Sequence, residues 1–177
     1  MSPLTVPVSQ RDHFKGPAGG SLTLVEYGDL ECPHCALVHP VVAEIAHELR
    51  DSLVVVFRHF PLTRVHPRSQ RAAEAAEAAG SQGKFWEMLD LMYQNHEDLH
   101  EESLARLAKK LKLDTKRFAK DMEGQVYRDR VRADFLSGVR SGVNGTPTFY
   151  INGERYGGSY DFDAIVAALL KASRTRQ

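Results

Sequence analysis

Cys32 and Cys35 are the only two cysteines of this chain, and they stand at the junction of a strand-like and a helix-like segment. A disulfide framework uses more cysteines and closes longer loops, so this pair is not a scaffold staple. Before it, Leu22–Tyr27 (LTLVEY) has the β-branched, aromatic and apolar content of a buried strand. Gly28-Asp29-Leu30-Glu31 then turns the chain into a helix predicted from about Cys32 to Arg50. Pro33 suits the first turn of that helix, where its missing N–H costs nothing. Val38, Val41, Val42, Ile45 and Leu49 recur at helical spacing. Leu53–Phe57 reads as a second buried strand, ended by His59-Phe60-Pro61-Leu62. The order strand–helix–strand implies a crossover and parallel pairing.

The remainder fits one domain carrying an insertion. Residues 1–20 are rich in Pro and Gly and read as an arm, with a short strand near Asp12–Lys15. From Pro67 to about Gly142 the pattern turns helical: Arg68–Ala79, Lys84–His96, Glu102–Leu111, Thr115–Met122 with Asp114 as N-cap, and about Gln125–Arg140. Trp86, Met88, Leu89 and Met92 fall at helical spacing and read as core. Thr148–Ile151, Asn152-Gly153 and Glu154–Tyr156 then form a hairpin signal, since Asn-Gly suits a type I′ turn. A last amphipathic helix spans Asp161–Ala172. The expected class is α/β: a core of residues 1–66 and 143–177 interrupted by an all-helical insertion over 67–142.

Composition narrows the partners. Lys plus Arg and Asp plus Glu are each 23, giving zero formal net charge, so no nucleic-acid partner is expected. The amino terminus lacks a basic start followed by an apolar run, and Leu53–Phe57 is far too short to span a bilayer. A soluble, cytoplasmic protein is the expectation, or a periplasmic or otherwise extracytoplasmic one if a leader has been trimmed away.

Disulfide exchange needs a thiolate, so a useful cysteine must have its pKa lowered. Cys32 falls at a predicted helix N-terminus, where free N–H groups and the helix dipole favour an anion. His34 adds a donor, or a charge when protonated. Cys35 lies one turn further on, within reach of the first sulfur. That spacing makes Cys32 the attacking thiol and Cys35 the resolving one, as the mixed-disulfide route requires. A zinc site is the competing reading of the pair. It needs four ligands, and only His39, His59 and His66 are at hand to complete it.

The segment Val25-Glu26-Tyr27-Gly28-Asp29-Leu30-Glu31-Cys32-Pro33-His34-Cys35 resembles the active-site segment of DsbA-like thiol–disulfide oxidoreductases. Gln82-Gly83-Lys84-Phe85-Trp86 within the helical block and the late Gly145-Thr146-Pro147-Thr148-Phe149 are similar to that family too. The likeness runs from roughly residue 12 to 172. It implies a thioredoxin fold with a helical insertion, catalysis by the Cys32-Pro33-His34-Cys35 dithiol, and no bound cofactor. It also implies a cis peptide bond before Pro147, and contact of Thr146 and Pro147 with a protein or peptide substrate. From residue pattern alone, Pro147 reads as an ordinary trans proline at a strand start. Glu26 matches the family's buried acid. A carboxylate inside an apolar strand is costly unless paired, and a raised pKa would let it exchange a proton with Cys35. The alternative for Glu26 is a solvated strand face. Phe60, Tyr150 and Tyr160 are candidates for lining a substrate groove. A redox-sensing or peptide-binding module using the same cysteines without turnover is the second functional reading.

Overall fold

A computed structural model describes residues 3–174. Its centre is a five-stranded mixed sheet in the order β1-β3-β2-β4-β5, built from β1 (His13–Lys15), β2 (Leu22–Gly28), β3 (Leu53–His59), β4 (Thr148–Ile151) and β5 (Glu154–Arg155). The crossover helix α1 (Pro33–Glu48) makes β2 and β3 parallel, with Glu26 beside Phe57 and Gly28 beside His59. β4 returns antiparallel on the other side of β2, placing Phe149 next to Glu26. The turn between β4 and β5 has positive φ at both Asn152 (49°) and Gly153 (88°), as an Asn-Gly hairpin requires.

Helices cover both sheet faces, which is why β2 and β3 are nearly continuous apolar runs rather than alternating ones. On one face, Leu22, Leu24, Val55, Phe149 and Ile151 pack against Val38, Val42 and Ile45 of α1 and against Ile165 and Leu169 of α7 (Phe162–Arg174). On the other face, Val25, Tyr27, Val56 and Tyr150 meet Phe60 and Phe135, the latter from α6 (Arg128–Arg140). The helices α2 (Ser69–Gly80), α3 (Phe85–Gln94), α4 (Glu101–Lys110) and α5 (Thr115–Glu123) enclose a cluster of their own that includes Met88, Leu89 and Met92. That cluster is continuous with Leu30, Cys32, Cys35 and Phe57, so the helical layer reaches directly to the cysteines.

Of the boundaries that differ from the sequence reading, three have a local cause. β3 continues past Phe57 through Arg58 and His59, because buried partners receive both polar side chains. Arg58, 2% exposed, donates to Asp12 Oδ1 and Oδ2 at 2.8 and 3.1 Å, to the carbonyls of Val6 and Pro7, and to the Tyr27 hydroxyl. Second, α6 starts at Arg128 rather than Gln125, since Gln125 adopts φ 49° and breaks the helical path. Third, α3 stops at Gln94, two residues short of His96, and Asn95 takes the C-cap position.

Candidate active site

The site forms where β2 ends, α1 begins and β4 starts. Asp29 organises the turn. It is buried, and its carboxylate accepts from the N–H of Glu31 (2.9 Å) and of Leu62 (2.7 Å) and lies 2.9 Å from His66 Nδ1. Its backbone carbonyl accepts from the N–H of Cys32 at 3.1 Å. Glu31 in turn receives the N–H and guanidinium of Arg68, tying the turn to the start of α2. The cysteines are thus fixed by hydrogen bonds that reach across the fold.

Cys32 occupies the N-cap position of α1 and Pro33 the first helical position. Both cysteines are free thiols and buried, while Pro33 and His34 are exposed. Bonding from the Cys35 thiol, then from the backbone N–H groups of Cys35 and His34, outweighs burial and brings the Cys32 thiol down to about 5. Cys35 moves the opposite way. Burial pushes its thiol well up, and the bond to Cys32 and the nearby Glu26 carboxylate add to that rise. The two sulfurs are therefore sharply inequivalent at neutral pH.

The peptide bond between Thr146 and Pro147 is cis. The thiol of Cys32 donates to the Thr146 carbonyl at 3.5 Å, so this segment lies directly against the sulfur. An open groove runs beside it, lined by His34, Leu37, Pro147, Arg155 and Tyr160 among others. Tyr160 donates its hydroxyl to the Pro147 carbonyl at 3.1 Å. Phe60 and Tyr150, the other groove candidates, are buried in the cluster under α6 instead. Leu37 is 72% exposed at the groove's edge.

Glu26 is not on a solvated face. Both faces of β2 are covered, and Glu26 is 2% exposed. Its Oε1 has no hydrogen-bond partner among the described residues. Burial raises its carboxyl to about 7, with His39 pulling it down and Cys32 pushing it up. Glu26, Cys35 and Cys32 thus form one electrostatically connected group.

The three histidines weighed for zinc each turn to a carboxylate. His39 meets Asp90 at 2.6 Å, His59 meets Glu77 at 3.0 Å, and His66 meets Asp29. Among the described residues, the cluster with metal-ligand proximity is His59, Glu77 and Asp134, and neither cysteine belongs to it. The Arg130 guanidinium bonds to Asp134 and lies 4.0 Å from Glu77, and the repulsion disfavours a cation there. Burial alone would raise Glu77, but bonds from His13 and His59 outweigh it and hold the carboxyl far below its usual range.

Sequence reasoning gave Asp29 and Tyr93 no role in this region and weighed His39 only as a zinc ligand. Asp29 had a signal, a carboxylate in the turn just before a helix start. Tyr93 had none, since it falls among the core positions of α3.

A thioredoxin-type sheet with a buried dithiol at the start of its crossover helix and a cis-proline strand against it defines a thioredoxin-fold redox protein. The family model described as Thioredoxin matches residues 9–171, and the chain belongs to that family. Solved structures with the same fold include BdbD from Bacillus subtilis (20% identical, 98% of each chain covered, TM-score 0.85). A thioredoxin-like oxidoreductase from Silicibacter pomeroyi is 24% identical over 94% of each chain, with a TM-score of 0.83. Alpha-DsbA1 from Wolbachia pipientis is 22% identical over 97% of this chain and 95% of its own, with a TM-score of 0.80. The neighbours are thus DsbA-type in fold.

Two curated relatives are more similar in sequence. Na(+)/H(+) antiporter NhaA 3 of Salinispora tropica is 44% identical over 170 residues, 96% of this chain but 26% of that protein. Na(+)/H(+) antiporter NhaA of Herminiimonas arsenicoxydans is 42% identical over 163 residues, 92% of this chain and again 26% of its own. The chain spans about a quarter of the length of these relatives. No helix among the described residues is long and apolar enough to cross a membrane.

Proposed function

We propose that this chain exchanges disulfides with protein substrates, with Cys32 as nucleophile and Cys35 as resolving thiol. The observation that carries the reading is the inequivalence of the two thiols, Cys32 lowered to about 5 and Cys35 raised. A thiolate at Cys32 is ready to attack or to leave, while Cys35 stays protonated until a mixed disulfide needs resolving. Stabilising that thiolate stabilises the reduced protein, which makes its disulfide an oxidant. We therefore place the protein on the oxidising side, in a compartment where disulfides persist, in preference to the cytoplasm. An extended substrate segment would lie along Thr146 and Pro147, in the groove beside Leu37 and Tyr160.

The test is turnover at substoichiometric protein, in the refolding of reduced ribonuclease and in the reduction of insulin. Multiple turnovers that vanish with Cys32→Ser support the proposal; normal turnover by that variant overturns it.

A second reading rests on the lengths of the relatives. A segment matching a quarter of proteins named as antiporters fits a redox-sensing module attached to a membrane transporter. Stable one-to-one capture of a thiol partner, without turnover, would favour that module.

A further inference from the structure

Glu26 is sealed from water, yet a buried acid that serves Cys35 must exchange its proton with solvent once per cycle. The route is visible in the side chains around it. On β2, side chains alternate between faces, so Glu26 and Gly28 share the face toward α1. A Cβ placed on Gly28 would stand 2.9 Å from the Tyr93 hydroxyl, so that hydroxyl lies over the next position along the same strand face as Glu26. The Tyr93 hydroxyl is buried and, like Glu26 Oε1, has no hydrogen-bond partner among the described residues. Two unpaired polar groups facing one buried space are costly unless they serve something.

The outer half of the route follows from helical spacing. Cys35 and His39 are four residues apart on α1, and Asp90 and Tyr93 three apart on α3, so each pair shares one helix face. The His39 ring lies 4.7 Å from the Tyr93 ring, centroid to centroid, and His39 Nε2 lies 2.6 Å from Asp90 Oδ1. The His39 side chain is 16% exposed and that of Asp90 49%, so the series ends at the surface.

We propose that His39, held by Asp90, is the proton port of the buried Glu26–Cys35 pair, with the Tyr93 hydroxyl as the step between Glu26 and the imidazole. This rests on the exchange reading above. When a substrate thiolate attacks Cys32 of the oxidised protein, the Cys32–Cys35 bond breaks and Cys35 leaves with the electron pair. The Glu26 carboxylic acid gives it a proton. As Glu26 takes the Tyr93 hydroxyl proton, the hydroxyl oxygen takes one from the protonated His39 ring, so no free tyrosinate forms against the burial that disfavours it, and His39 regains its proton from water. A second substrate thiolate attacks the mixed disulfide and releases Cys32 as the thiolate. The substrate dithiol is oxidised and the protein reduced, and no other reagent is needed.

The titratable groups facing this space are Glu26 on β2, Asp29 in the turn, Cys32, Cys35 and His39 on α1, Asp90 and Tyr93 on α3, and Tyr160 after β5.

The experiment follows the rate at which the oxidised protein is reduced by dithiothreitol, read by acid quench and mass, at low buffer concentration across pH. His39→Ala is expected to slow this step about tenfold or more. Added imidazole should restore the rate, while the thiolate absorbance titration of Cys32 stays where it was. Asp90→Asn, at a half-exposed position, should give a smaller loss with the same imidazole response and serves if His39→Ala does not fold. An unchanged rate in both variants, or a loss that imidazole leaves untouched, overturns the port while leaving the exchange reading intact. Failure of the unsubstituted protein to react would overturn the exchange reading, and the port with it.

Discussion

Cys32 Sγ lies 3.5 Å from the carbonyl oxygen of Thr146, the residue that precedes the cis-proline, and in the thiol form its S–H donates to that oxygen. The Thr146 hydroxyl is buried too and has no hydrogen-bond partner among the described residues. Ionising Cys32 removes the S–H donor and offers the hydroxyl an acceptor, so Thr146 should stabilise the thiolate. Thr146→Val is therefore expected to raise the Cys32 pKa above its value of about 5, by up to about one pH unit given ~1 kcal/mol for one hydrogen bond. Thiolate absorbance against pH in both proteins checks this, and an unchanged midpoint would count against it.

The buried carboxyl of Glu26 makes stability depend on pH. Its folded value of about 7 stands above its ordinary 4.5, so between those values the folded protein holds a proton that the unfolded chain releases. Stability contributed at low pH is thus lost as pH rises through that window, by about 3 kcal/mol at ~1.4 kcal/mol for each pH unit. Urea denaturation of the reduced protein and of Glu26→Gln at pH 5 and pH 8 reads the difference. The unsubstituted protein should lose stability relative to the variant on going to pH 8. Parallel behaviour would show that Glu26 does not titrate there.

Arg58 and Asp12 pin the amino-terminal arm across the end of the sheet, with side chains 2% and 6% exposed. Burial would lower the Arg58 pKa, and the bonds to Asp12 and Tyr27 outweigh it and raise it. Removing one partner leaves the other charge buried and unpaired, which costs about 3–5 kcal/mol. Asp12→Ala should lower the unfolding free energy by that amount in denaturant titration. A loss under about 1 kcal/mol, the range of exposed pairs, would contradict it.

Gly138 is where α6 seats on the sheet. A Cβ there would stand 2.7 Å from Phe60 Cδ2 and 3.0 Å from Tyr27 Cδ1, inside the space two buried rings already fill. Gly138→Ala should destabilise by about 1–3 kcal/mol despite the better helix propensity of alanine. A thermal midpoint at or above that of the unsubstituted protein would show that the rings can move aside.

Much of this was legible because local signals agreed with the fold. The β2–α1–β3 unit, the Asn152-Gly153 turn, and the placing of Cys32 and Cys35 at a helix start all follow from patterns spanning a few residues. What was not legible depends on distant partners. Nothing local marks Arg58 as buried, since its cost is met by Asp12 and by carbonyls of the arm, 46 to 52 residues away in sequence. The burial of Glu26 was ambiguous for the same reason: period-two alternation exposes one face only when no second layer of helices covers it. Tyr93 drew no reading from the sequence and is buried in the core; only the Gly28 gap opposite its hydroxyl sets it apart.

The division of labour between the two sulfurs is tested most directly by trapping. Cys35→Ser and Cys32→Ser are each mixed with excess oxidised insulin at pH 6, where a thiol lowered to about 5 is ionised and an ordinary one is not. Acid quench and mass measurement should show a stable mixed disulfide on Cys32 in the Cys35→Ser protein and none in the Cys32→Ser protein. Adducts forming on Cys35 at a comparable rate, or none on Cys32, would contradict the assignment.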